Sequence, residues 1–283
     1  MFKTVLKASP FVLTHVVALV LAIQCGVTLG MVALCVGAYL LRMFFITAAY
    51  HRYFAHRSYK TSRPFQFLLA FGGTLAAQKG VLWWAGHHRD HHRYSDQPQD
   101  LHSPVLTGFW YSHVGWFLST KNDETPIDRI KDFAKYPELL WLNRLWPVPL
   151  ALGLGGLYAI WGYPGVVWGG LVSTVLLWHG TFTINSLSHI YGTRRYETTD
   201  QSKNNLLLAL ITLGEGWHNN HHHYQSSANQ GFFWWELDVS FLVLRVLEKL
   251  GLVWELRRPP ASILVPSPAP SPEAPSETPA LAA

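Results

Sequence analysis

Polar residues are nearly absent from four stretches of the chain, and those stretches organise everything else. Phe11 to Leu29 and Val32 to Ala49 form one pair, turning near Gly26 to Gly30. Leu145 to Tyr158, running on to Trp161, and Val166 to Ile184 form a second pair around Gly162-Tyr163-Pro164. Spanning a bilayer core takes about 20 mostly apolar residues, so the pattern predicts four transmembrane helices in two hairpins. A fifth apolar stretch, Phe65 to Gly86, is interrupted by Gly72, Gly73, Gln78 and Lys79. It reads as a helix at the interface or within a cap. Phe232 to Trp254 opens on four aromatic residues and sets Arg245, Glu248 and Lys249 against an apolar stripe, which predicts an amphipathic helix on the headgroups. Lys3 and Lys7 before the first run resemble the start of a signal peptide. The apolar run is longer than the 7–15 residues of such a peptide and resumes through Leu41, so it is read as a retained anchor.

Composition supports a bilayer as solvent: only 14% of residues are charged, against about 25% in soluble proteins. The net charge of +5 does not indicate nucleic acid, because the basic residues are scattered rather than gathered in a stripe. Their placement is informative instead. Neither hairpin tip carries Lys, Arg, Asp or Glu, and all basic residues lie on the opposite side. Positive charge stays in the cytoplasm, so both termini and both long polar regions are expected there, in a multi-pass cytoplasmic-membrane protein if the source is bacterial. Cys25 and Cys35 lie in apolar runs and read as inert buried thiols. From Pro259 onward Pro, Ser and Ala dominate, which predicts a disordered tail (259–283) after one membrane domain (1–258).

The fifteen histidines are clustered. His51 and His56 follow the second run. His87, His88, His91 and His92 form a second cluster, and His218, His221, His222 and His223 a third, with His189 upstream of it. On a helix, His88, His91 and His92 share a face, as do His218, His221 and His222. His51 and His56, five apart, converge only if the helix ends or bends between them. Imidazole suits Fe, Zn, Cu and Ni. Nine converging imidazoles exceed the four ligands of a structural zinc site, pointing to two metals. His15 and His179 sit inside apolar runs, where packing or a helix–helix hydrogen bond is the default reading. His87 and His223 flank the boxes, and His102 and His113 are expected to be structural.

Here the sequence resembles a known family. His51-Arg-Tyr-Phe-Ala-His56, His88-Arg-Asp-His91-His92, Ser112-His-Val-Gly-Trp116, Asn185-Ser-Leu-Ser-His189 and Gly214-Glu-Gly-Trp-His218-Asn-Asn-His221-His222 are similar to the membrane fatty acid desaturases. Within them they are closest to the acyl-CoA Δ9 (stearoyl-CoA-type) branch, in a bacterial-like form. The resemblance implies an all-α integral membrane fold whose cytoplasmic helical cap holds a di-iron site. It places His51, His56, His88, His92 and His221 on one iron. It places His91, His189, His218 and His222 on the other, with Asn185 approaching through a water. It implies a reaction that uses O2 and two electrons to remove two hydrogens from adjacent methylenes, giving a cis double bond and water. It further implies a fatty acyl substrate in an aromatic tunnel, for which Trp83, Trp84, Trp116 and Phe182 are candidates.

The headgroup is less constrained. Gly86 and His87 replace an Arg-Asp pair that precedes the second box in animal acyl-CoA desaturases, and Thr120-Lys121 stand where that branch has a basic pair. Acyl-CoA is the expected substrate, with Lys121 as a candidate contact, and phospholipid acyl groups are the alternative. No haem-binding module of the cytochrome b5 type is present in the sequence, so a separate donor of ferredoxin, rubredoxin or cytochrome b5 type is expected. A di-iron hydroxylase would share the boxes. A haem electron carrier would need axial histidines in the spans, and a metal transporter would need polar residues through them.

Overall fold

The computed structural model describes residues 2–265, and among these the fold is mostly helical. Helix α1, Phe2–Cys25, starts well before the apolar run and carries Pro10 inside it. Gly26 then takes a positive φ of 72°. Thr28 caps the next helix by accepting from the Met31 N–H at 3.3 Å, satisfying one of the amide donors that a helix start leaves unpaired. Helix α2, Leu29–Phe44, continues without a break into wider π-helical turns over Phe45–Ala55.

Three helical runs are long and apolar enough to cross a membrane: Leu6–Cys25, Leu29–Ala55 and Pro147–His189. Their outward residues, such as Leu13, Leu19, Ile23 and Val36, are exposed hydrophobics, as a lipid-facing surface requires. The third run covers 43 residues and is broken at Gly162, whose φ of 62° and ψ of −152° are non-helical. Beyond the break the chain packs back: a Cβ on Gly169 or Gly170 would touch Leu157 and Leu154. Glycine supplies the positive φ that another residue would adopt only with strain.

The stretch 65–86 is not one continuous helix. It divides into helices α3 (Arg63–Thr74) and α4 (Val81–Tyr94), joined by a turn. Leu69, Ala70, Ala76, Val81, Leu82 and Ala85 from this region are buried in the main core with Tyr50, Phe54 and Tyr59. The amphipathic helix expected over 232–254 is shorter than its sequence pattern. Only Val239–Lys249 is helical, because Asp238 caps its start, accepting from the Phe241 N–H at 2.9 Å. Phe232 to Trp235 precede it in a turn, with Trp234 92% exposed. Val253–Trp254 pairs antiparallel with Lys60–Thr61 instead of extending the helix. Of the expected tail, residues 259–265 include a 3-10 turn, Ala261–Ile263, and Tyr196 Oη donates to Leu264 O at 3.4 Å. The rest of that tail lies outside the described residues.

Candidate metal centre

Four segments bring the histidine boxes together, each where a helix ends or loosens. His51 lies in the π-helical turns and His56 caps their C-terminal end, where the His56 N–H donates to His51 O at 3.1 Å, an i to i+5 bond. A wider turn sets residues five apart nearly above one another, and the two rings stand 4.7 Å apart. The helix therefore widens over this turn and ends between them, at Ala55. Helix α4 carries His88, His91 and His92, a short helix His218–His223 carries the third box, and a 3-10 turn, Leu187–His189, carries His189.

The imidazoles sort into two groups. His51, His56, His88, His92 and His221 form one, and His91, His189, His218 and His222 the other. Within each, one ring nitrogen per residue lies within 4.8 Å of all the others, so each group could hold a metal ion. The i+3 member of each helical triplet crosses over: His221 faces the rings of the first group and His91 those of the second. In the first group the Nε2 atoms of His51 and His221, of His56 and His88, and of His92 and His221 are each 3.0 Å apart. In the second, His189 and His218 approach to 3.1 Å.

On four of these histidines a carboxylate takes the other ring nitrogen. His91 Nδ1 is 2.9 Å from Asp100, His189 Nδ1 is 3.0 Å from Asp96, and His222 Nδ1 is 2.6 Å from Asp200. His51 Nδ1 pairs with Glu215. An Nδ1–H donated to a carboxylate fixes the tautomer and leaves Nε2 with a free lone pair aimed inward, the arrangement that orients imidazoles on metals. Nε2 of His222 is buried with no protein partner, as expected of a donor atom reserved for a cation. Burial, reinforced by neighbouring imidazoles, holds His56, His88, His92, His218 and His221 well below the ordinary imidazole range. Burial also takes His222 down to about 4, against the pull of Asp200. His91 goes the other way, because Asp100 outweighs its burial. Neutral imidazole is the ligating form, and this donor set fits nitrogen-bound transition metals.

Sequence reasoning missed the groups behind the rings. Asp96, Asp100, Asp200 and Glu215 could have been sought as carboxylates near the boxes in a chain poor in charge. Arg52 is fully buried between Glu215 and Asp238, at 2.9 Å from each. The two asparagines of the third box are buried and hold its helix in place. Asn219 Oδ1 accepts from the amides of Arg195 and Tyr196 at 2.8 Å. Asn220 Nδ2 donates to Gln230 O and Glu236 at 3.0 and 2.8 Å. A side chain at Gly216 would collide with the backbone of Asn205 and Ala209, so only glycine permits this approach.

A cavity of about 510 Å³ reaches the first group; Trp83, Trp84, Trp116, Phe182, His88 and Asn185 are in its wall. A smaller cavity shares Trp84, His88, Thr181 and Asn185 with it and continues to Met43 and Thr47. Lys121 is exposed and lies outside both walls. His102 packs 4.2 Å from His91 and also lines the larger cavity. His223 stacks on Tyr196 at 4.1 Å, away from both groups. His15, His179 and His113 form a hydrogen-bonded chain, with steps of 2.9 and 3.0 Å, that ties α1 to the third run.

Comparison with known proteins points to one family. The profile of the family described as Fatty acid desaturase matches residues 27–245. A hex-5-enoyl-[acyl-carrier protein] acetylenase of Moorena producens is 36% identical over 253 residues, covering 82% of this chain and 78% of that protein. An sn-1 stearoyl-lipid 9-desaturase of Synechocystis is 37% identical over 223 residues, covering 77% and 69%. An acyl-CoA 5-desaturase of Anemone leveillei is 37% identical over 220 residues, covering 77% and 68%.

Proposed function

The chain belongs to the fatty acid desaturase family, and from that premise we propose that it is an O2-dependent, di-iron acyl desaturase that introduces a cis double bond, at Δ9, into a saturated acyl chain. The observation that carries this reading is the pair of adjoining imidazole groups, the first of which meets an aromatic cavity through His88. His51, His56, His88, His92 and His221 would hold one iron and His91, His189, His218 and His222 the other, with Asn185 contributing through a water. When bound, the metal pair supplies the oxidising power that acid–base side chains lack for an unactivated C–H bond.

The protein supplies the rest. Trp84, Thr181 and Asn185 line both cavities, so an acyl chain lying through them passes His88 with adjacent methylenes at the metal centre. Aromatic walls exclude water and fix the chain's path, and the carboxylates on Nδ1 keep the rings from turning. The expected carrier is acyl-CoA. The matched relatives include enzymes named for acyl-CoA, acyl-lipid and acyl-carrier-protein substrates, and an acyl-lipid substrate is the second reading, favoured by Gly86 and His87 before the second box. Electrons would come from a separate ferredoxin-, rubredoxin- or cytochrome b5-type donor. Gas chromatography of fatty acids from a host expressing the gene tests the activity, and no new unsaturated species would refute it. Purified protein should hold about two irons per chain, because the donor set exceeds one site. Stoichiometric zinc without iron, after growth in iron-replete medium, would be incompatible with this.

For topology we propose four spans, reading Pro147–His189 as two antiparallel legs about Gly162. Both termini and the metal centre would then lie on the cytoplasmic side. A reporter active only outside the cytoplasm, fused after Trp254, should be silent; strong signal would overturn the arrangement.

A further inference from the structure

The wall of the cavity that reaches His88 also carries a charged bridge. Lys7 of α1 and Lys79 of the turn before α4 both line it, and both point at one carboxylate, Asp123, which also lines it. Lys7 Nζ lies 2.5 Å from Asp123 Oδ1 and donates to Ser119 O at 2.6 Å. Lys79 Nζ lies 3.3 Å from the same oxygen and 4.1 Å from the centre of the Trp83 ring. Two ammonium groups against one carboxylate leave an excess positive charge at the cavity. Burial and the neighbouring Lys7 charge hold Lys79 below the usual ammonium range, so a second anion would relieve it.

The backbone here is strained as well. Ala77 and Lys79 adopt φ of 55° and 65°, a region that side-chain-bearing residues enter at a cost and that clusters at ligand clamps. The remainder of the cavity is largely aromatic and apolar, so these residues are where a polar end of an acyl substrate would meet complementary charge.

We propose that Lys7 and Lys79 are the headgroup site of this cavity, taking a phosphate-bearing acyl carrier, with Asp123 occupying the two lysines until the phosphate replaces it. The proposal rests on the cavity being the acyl site, and it replaces Lys121 with two residues that do line it. A phosphate accepts from both ammonium groups at once, and such charge-assisted bonds are the strong ones. A coenzyme A thioester and a phospholipid share this chemistry.

Equilibrium binding tests it on the full-length, metal-loaded protein, kept anaerobic and without reductant so that no turnover occurs. The probes are stearoyl-CoA, distearoylphosphatidylglycerol in nanodiscs, and distearoylglycerol, which has the chains but no phosphate. Lys7→Gln and Lys79→Gln should each weaken binding of a phosphate-bearing probe by about tenfold and leave distearoylglycerol nearly unaffected, and Lys79→Arg should restore it. Asp123→Asn should tighten binding, because the competing carboxylate is gone. Lys131→Gln, a change at an exposed lysine paired with Asp128, should do nothing. In the unaltered protein, added salt should weaken only the phosphate-bearing probes, a result that needs no variant to fold. Whichever probe responds to the lysines identifies the carrier. If Asp123→Asn weakens binding in step with the lysine variants, the bridge merely holds α1 in place and the proposal falls. It falls also if neither phosphate-bearing probe depends on salt or on the lysines while distearoylglycerol binds. Failure of all three probes to bind would refute the acyl cavity itself.

Discussion

Replacing His91 or His221 with alanine is expected to abolish double-bond formation, measured as the unsaturated-to-saturated ratio in a desaturase-deficient host and normalised to inserted protein. Each residue is the i+3 member of its triplet and faces the rings of the opposite group. Each change therefore strips one donor from a group that the rest of its own helix does not serve. Changes behind a metal ligand already cost about 10–100-fold, so loss of a ligand itself should exceed that. His223→Ala should retain activity, because His223 stacks on Tyr196 and joins neither group. His102 is a poorer control than its place outside the boxes suggests, since its ring lies against His91. Wild-type behaviour of both the His91 and His221 variants, with a dead His223 variant, would overturn the ligand assignment.

The second large effect is expected at Arg52, on stability rather than on chemistry. Its guanidinium is fully buried and paired with both Glu215 and Asp238, and it also donates to Ala228 O at 2.8 Å. Arg52→Met keeps most of the volume but leaves two buried carboxylates without their cation. Breaking a buried pair in this way costs about 3–5 kcal/mol, a large fraction of a domain's stability. Glu215 also holds His51 and Asp238 caps Val239–Lys249, so first-box geometry and the cap should fail together. The expected result is a sharp fall in folded, detergent-extractable protein and in its thermal midpoint. A variant as stable as the parent would show that the carboxylates find other partners. Glu215→Gln with Asp238→Asn in the same chain should recover part of the loss, because both buried charges are then removed.

The sequence by itself determined the membrane character, the helices that carry the second and third boxes, and the residues that gather at the centre. Each of these depends on local pattern. An apolar run needs no distant partner to demand lipid, and residues at i, i+3 and i+4 share a face wherever the helix lies. What only the tertiary structure decided depends on contacts distant in sequence. His51 and His56 meet because the second long helix widens into π turns as it enters the core, which their spacing of five did not reveal. The stretch 65–86 divides because the joining turn carries left-handed residues at Ala77 and Lys79. The helix expected over 232–254 shrinks because Asp238, placed by Arg52 from far up the chain, caps it late and because Val253–Trp254 finds a partner strand at Lys60–Thr61. The carboxylates behind the rings and the lysines at the cavity escaped the sequence reading for the same reason. Asp96 and His189 are 93 residues apart and Lys7 and Asp123 are 116 apart, and ion pairs across such distances leave no periodic trace in the chain.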